Sequence, residues 1–302
     1  MRFLRGARRS GGLRAKTMGA VALAVCLGAL SLASVSSAEP KGEFAVFKQC
    51  PLSKPNLVLC MYSVSSNGTF TVGNKSVPLV NPVTLQGGIE ADPETFALKF
   101  VGAADGNTLS KTPQPVPGGL LGITAPSWWP KFLRDLFNEE VINKGLTGVT
   151  ATVELAAPAS SIKVDFVNLI TETGTALSLP VKVKLNNSFL GSNCYIGSNS
   201  NPIVIDLTTG TTAPPPPNTP IKGSLGTVTS NEAGTLLTFS GGRLVNNSFA
   251  APGANGCGGL FSIFVDPLVN SILGTPAAAG KNTAILEGKI QSAESWAVKA
   301  SE

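Results

Sequence analysis

The sequence predicts a mainly β fold: an antiparallel β-sandwich or flattened barrel with one or two short covering helices. Three observations carry that expectation. Apolar side chains recur at every second residue through most of the chain after residue 38, the period of a half-buried strand. These runs are short and punctuated by turn residues, the chain holding 33 glycines and 22 prolines. Only two stretches switch to a 3.6-residue period, so helices are left to cover the sheets rather than to build the interior.

Ahead of the β region, Arg2, Arg5, Arg8, Arg9, Arg14 and Lys16 precede an apolar run from Met18 to Val35 that ends at Ser36-Ser37-Ala38. This is the layout of a secretory signal peptide over residues 1–38. A retained membrane anchor is the alternative, at the short end of the length a spanning helix needs. A lipidated Cys26 is a further alternative, weakened by bulky Val25 and by an apolar run that continues past the cysteine. Six of the 23 basic residues and none of the 18 acidic ones fall in this segment, which leaves the rest of the chain at a net charge of −1. The overall basicity therefore belongs to targeting. No basic stripe remains to bind nucleic acid.

Residues 39–302 are expected to form a single disulfide-bonded β-rich domain, with a Pro-rich loop at 208–220. Four cysteines remain after the leader, Cys50, Cys60, Cys194 and Cys257, and an even number in an exported chain implies bridges. Three pairings exist; the favoured one is Cys50–Cys60 with Cys194–Cys257. Neither pair is spaced as a redox motif.

The first strand candidates are 44–47, 57–64 and 69–72, the last two joined by a hairpin at Asn67-Gly68, where both residues tolerate positive φ. Residues 75–90 continue the alternation, but Pro78 and Pro82 remove ladder donors and mark an edge or bulged strand. Residues 102–127, rich in glycine and proline, read as a long surface connection. From Ser127 to Gly145 the period becomes helical. Trp129, Phe132, Leu133, Leu136, Phe137 and Val141 fall on one face, with Ser127 as cap, Pro130 in the first turn and Gly145 as stop. That stripe is expected to cover one end of the β core.

Strands resume at 149–155, 162–166, 177–185 and 202–207. In 177–185, Leu179, Val181, Val183 and Leu185 alternate with Pro180, Lys182 and Lys184. The four prolines Pro214–Pro217 favour polyproline II in the 208–220 loop. It reads as a loop within one domain because the favoured long disulfide crosses it. Strands follow at 225–228, 236–239, 243–245 and 283–290. Residues 260–273 are helix-like around Pro267, which kinks or splits them. An internal echo joins Asn186-Asn187-Ser188-Phe189 before Cys194 to Asn246-Asn247-Ser248-Phe249 before Cys257. It predicts two related units on neighbouring or facing sheets, each anchored by its phenylalanine.

The chemistry available is narrow. The chain has no histidine, which removes histidine-based nucleophilic triads and histidine zinc sites. No phosphate-cradling loop is present, and neither metal nor cofactor is called for. Carboxylates are the remaining catalytic route: Glu90, Asp92 and Glu94, Glu139 and Glu140, with Glu154, Asp165 and Asp206 at strand ends. None shows the spacing of an acid–base pair. The Glu90–Glu94 run reads first as a turn and second as a calcium loop. Trp128, Trp129 and Phe132 are the candidate ligand-binding residues, able to stack on a sugar or frame an apolar pocket. The competing reading places the same aromatics in the core.

The Ala/Arg-rich leader, Asn247-Ser248-Phe249, Gly256-Cys257-Gly258 and Pro267-Leu268-Val269-Asn270 resemble uncharacterised secreted proteins of high-GC Gram-positive bacteria. The resemblance covers most of the chain after the leader. It implies a bacterial exported or envelope protein and brings no activity, ligand or catalytic residue.

The expectation is therefore a non-catalytic secreted or cell-surface protein with a structural or adhesive role, and no membrane span once the leader is removed. Its partners would be cell-envelope components or a small ligand. Two alternatives stand: an extracellular carrier of a sugar or small apolar molecule, and a carboxylate-based hydrolase. Buried Trp128 and Trp129 rings would favour the structural role. An apolar cleft of several hundred Å³ beneath their helix would favour the carrier. Two facing acids, one with a raised pKa, would favour the hydrolase.

Overall fold

The computed structural model describes residues 38–119, 127–136 and 148–302. The expected leader up to Ser37 and residues 137–145 of the expected helix lie outside these residues. Residues Ala38–Glu302 cluster as one compact unit.

The strands are β1 (Leu57–Val72), β2 (Lys75–Pro78), β3 (Val83–Ala91), β4 (Leu98–Gly102), β5 (Gln114–Pro115), β6 (Thr150–Leu155) and β7 (Lys163–Val164). They continue as β8 (Leu177–Asn186), β9 (Tyr195–Ile196), β10 (Ile203–Leu207), β11 (Thr227–Ser230), β12 (Leu236–Asn246), β13 (Ala254–Asn255) and β14 (Thr283–Glu294). The helices are α1 (Lys131–Leu136), α2 (Phe166–Thr171), α3 (Ser262–Leu273) and α4 (Ser295–Ala300). One sheet runs β11-β12-β14-β1-β3-β4 with β2 also on β1. The other runs β13-β9-β8-β6-β5 with β10 and β7 on β8. Every pairing is antiparallel, and the arrangement is sandwich-like rather than a closed barrel.

β1 organises the first sheet. It pairs with β14 from Leu59↔Glu294 to Thr71↔Thr283. Its other edge is shared, the N-terminal half with β3 and the C-terminal half with β2. The hairpin expected at Asn67-Gly68 is instead a bulge within this one strand, between Ser65 and Asn67. Gly68 takes φ 132° there, and a Cβ would collide with the carbonyl oxygen of Ile285. The reversal comes at Gly73-Asn74, between paired Val72 and Lys75. In the same way the separate strands expected at 236–239 and 243–245 are one strand, β12, with a bulge between Ser240 and Gly242. Bulges keep a long strand in register while bending it, so glycine-rich interruptions look like turns in a sequence.

Other corrections are local. Residues 44–47 lie in a 3-10 helix, Gly42–Phe47, not a strand. The strand expected at 162–166 is two residues long and passes into α2, whose N-terminus Asp165 caps by accepting the Asn168 N–H at 2.9 Å. The edge strand expected across 75–90 splits at its prolines: β2 is an edge, but β3 lies inside the sheet between β1 and β4. The stretch 102–119 is no mere surface connection, because Thr108, Leu109, Gln114 and Val116 are buried.

β8 is the spine of the second sheet and alternates as expected, with Leu177, Leu179, Val181, Val183 and Leu185 all buried. They join Met61, Leu85, Ile89, Phe239 and Leu244 of the first sheet in one core. Full burial of each such side chain stabilises by about 1.5–3 kcal/mol before entropy is counted. A smaller cluster of Phe47, Cys50, Leu57, Cys60, Leu236, Ala293 and Val298 stands apart from it. Both favoured disulfides form: Cys50–Cys60 lies in that smaller cluster, and Cys194–Cys257 fastens the turn before β9 to the turn before α3.

The sandwich is closed differently along its two sides. On one, Thr208, just past β10, exchanges both backbone hydrogen bonds with Val245 of β12, at 3.0 and 2.8 Å. The Pro-rich 208–220 loop is stitched down beside this seam, Asn218 donating to the carbonyls of Asn247 and Asn282. On the other side, β2 meets β5 through a side chain. Buried Gln114 accepts the N–H groups of Val80 and Asn81 at 2.9 Å and donates to the Asn81 carbonyl at 2.8 Å.

Candidate functional site

Between the sheets lies an apolar cavity of about 130 Å³. One wall is Phe70 and Val72 of β1, Val77 of β2, Val83 of β3, and Ala284 and Leu286 of β14. The facing wall is Ala151 and Val153 of β6, Leu179, Val181, Val183 and Leu185 of β8, and Ile205 of β10. Leu109, Val116, Val149 and Leu273 complete the apolar lining. The space has a local cause. Ala151 and Ala284 offer only a methyl group to the space, and strand backbones held by their ladders cannot collapse inward. Phe70 does not swing across the gap, because its ring is stacked on Phe249 at 5.7 Å.

Polar groups are sparse in this lining. Ser65, Thr69, Thr112 and Gln114 contribute, and Gln114 is committed to the β2–β5 clasp. Lys75 is the one charged residue lining the cavity among the described residues. An apolar cavity of about 150 Å³ stays dry and accepts benzene, so a space of this size and polarity suits a small hydrocarbon group better than water.

The aromatic candidates lie elsewhere. Trp128 is 80% exposed and Phe132 69% exposed, and Trp128 meets Trp129 edge-on at 6.0 Å. None of the three lines the cavity. The described part of their helix, α1, buries no residue, so the expected covering stripe is not seen in it. The echo also divides. Phe249 is buried against Phe70, while Phe189 is 60% exposed. The two cysteines that follow them bond to each other.

Asp92, Asp165, Asp206 and Glu154 are engaged away from the cavity. Asp92 accepts the N–H groups of Glu94 and Thr95 at 3.0 and 2.9 Å, closing the turn read from the sequence. Asp165 caps α2, and Asp206 accepts the Ser178 hydroxyl at 2.6 Å. Glu154 stands beside Tyr195, whose phenol is pushed above its usual value first by burial and then by that carboxylate. Lys182 sits 4.5 Å from the centre of the same ring. Glu139 and Glu140 lie outside the described residues. No group of three or more metal-ligating side chains gathers among the described residues, and no helix among them is long and apolar enough to cross a membrane.

Sequence reasoning found the walls of this site but not the site. The alternation of β8 marks Leu179, Val181, Val183 and Leu185 as inward, yet the same pattern describes a filled core. Lys75 stands at the head of the alternating run 75–90 and Gln114 in the Gly/Pro-rich stretch 102–127, and neither place signals a cavity. Comparison with protein-family models, with curated proteins and with solved structures gave no match.

Proposed function

We propose that the protein is an exported, non-catalytic carrier that holds a small apolar group between its two sheets. The observation that carries this reading is the apolar cavity of about 130 Å³ between the sheets, smaller than the cleft expected beneath the Trp128 helix and placed away from it. Export rests on the basic-apolar-small layout of residues 1–38, and the two disulfides fit an oxidising compartment. A non-catalytic role accords with a lining that, among the described residues, offers no carboxylate or thiol, in a chain without histidine.

Native mass spectrometry of the protein purified from its own host tests the carrier. The expected result is a co-purifying small molecule that is lost from Ala151→Phe, in which the new ring occupies the cavity. A bare mass, together with no displaceable uptake of a fluorescent apolar dye, would refute it. A structural or adhesive role remains the second reading. It is favoured by the exposure of Leu260, Phe261, Ile263 and Phe264 close together in the chain, with Leu260 99% exposed. In that case the host protein would come away bound to envelope material rather than to a small molecule.

A further inference from the structure

The one charge that lines the cavity among the described residues narrows what it would hold. Lys75 opens β2 directly across from Val72 and two residues before Val77. Alternate residues of a strand share a face, so Lys75 points to the side of β2 that lines the cavity, as its place in the lining confirms. Its location is well fixed. The preceding turn is held by the Asn74 N–H donating to the Leu273 carbonyl at 2.7 Å, and by the Gly73 N–H donating to Asn282 Oδ1 at 3.0 Å. Leu273 lines the same cavity.

Lys75 is half-buried. Among the described residues its ammonium has neither an ion-pair partner nor a hydrogen bond. A lysine in this position lays its methylene stem along apolar surface and keeps its head at the wet edge. The site thus combines an apolar interior with one unpartnered cation on its margin. A neutral hydrocarbon would use the interior and leave the cation idle. An amphipathic anion would use both.

We infer that the ligand is a monocarboxylate with a short alkyl chain, its tail between the sheets and its carboxylate against the Lys75 ammonium. This rests on the carrier reading and deepens it. The cavity is near the size that accepts benzene, so a tail of about six to eight carbons fits. An ammonium–carboxylate contact at a partly desolvated rim is a charge-assisted hydrogen bond.

Calorimetric titration of the processed protein with octanoate and with octan-1-ol at about pH 7 tests the inference. Octanoate is expected to bind about tenfold or more tightly than the alcohol, the range of a hydrogen bond to a charged group. Lys75→Gln should erase that preference, octanoate then binding no more tightly than the alcohol, and Lys75→Arg should keep it. Equal binding of acid and alcohol by the unaltered protein would overturn the inference and leave the carrier reading standing. So would an acid preference that survives Lys75→Gln. Failure of both ligands to bind would remove the carrier reading, and the inference with it.

Discussion

β1 passes through two interiors of opposite character. Its N-terminal half contributes Leu57 and Cys60 to the small cluster around Phe47 and Val298, where the disulfide partner Cys50 also sits. Its C-terminal half contributes Phe70 and Val72 to the wall of a cavity. β14 does the same in reverse, with Ala293 in the small cluster and Ala284 and Leu286 at the cavity. Both halves obey the same alternation and the same ladder. The difference lies in what the inward side chains meet. At one end a phenylalanine, a disulfide and the terminal helix α4 fill the space. At the other, Phe70, Val72, Ala284 and Leu286 stand opposite Ala151, Val153 and the β8 side chains with a gap left between them. Regular strands specify which side chains point inward; only the partners decide whether the inside is full.

The largest effect should come from emptying the full end. Phe47→Ala removes a buried ring from a cluster fastened by a disulfide, where little can collapse into the gap. It is expected to cost about 3–5 kcal/mol. Val77→Ala, on the half-buried cavity wall, should cost about 1 kcal/mol, because a side chain that already borders a void has fewer contacts to lose. Urea unfolding of both variants measures this. Equal losses would mean that the two interiors are packed alike.

Next is the seam beside the cavity. Gln114→Ala leaves the backbone groups of Val80 and Asn81 without their partner and is expected to cost about 1–3 kcal/mol. The other side is joined by the paired Thr208 and Val245 backbones, which a side-chain substitution does not remove. Hydrogen exchange should therefore quicken at Val80 and Asn81 in Gln114→Ala and stay unchanged at Thr208 and Val245.

How much of this was legible follows from the same contrast. Fold class, the disulfide pairing and the buried set of β8 are local or periodic facts, and Leu179, Val181, Val183 and Leu185 show them plainly. The bulges at Ser65/Asn67 and Ser240/Gly242 look like breaks in the sequence, because glycine at a bulge and glycine at a turn have the same local signature. The echo shows where local reading ends. Two Asn-Asn-Ser-Phe segments follow strands of different sheets, yet Phe249 finds Phe70 while Phe189 stays exposed. The cavity is the extreme case, since it is defined by atoms missing between Ala151, Val181 and Ala284, which lie far apart in the chain.

The hollow end should also respond in the opposite sense to added volume. In a filled core an extra isopropyl group costs about 1–3 kcal/mol through displaced rotamers and backbone. Ala151→Leu places that volume into the cavity and is expected to be neutral or to stabilise by about 0.5–2 kcal/mol, while weakening uptake of an apolar dye. Ala293→Leu makes the same change in the small cluster and should destabilise. Thermal unfolding of the pair reads the sign directly. Destabilisation by both would show that the space at the cavity is not free to accept a side chain.

The smallest effect belongs to the turn that leaves β3 beside the full end. The Thr95 N–H bonds Asp92, aided by the Thr95 hydroxyl and the Glu94 N–H, and these donors hold its carboxyl below the usual aspartate range. A folded-state value below the unfolded one stabilises the protein above the unfolded value, about 3.9, and the benefit fades as pH falls through the folded value. Asp92→Asn keeps an acceptor oxygen but removes the titration. The unaltered protein should be the more stable of the two at neutral pH, and the difference should shrink in acid. Midpoints of thermal unfolding across that range test the sign. A difference that grows on acidification would mean that the carboxylate is disfavoured in its turn.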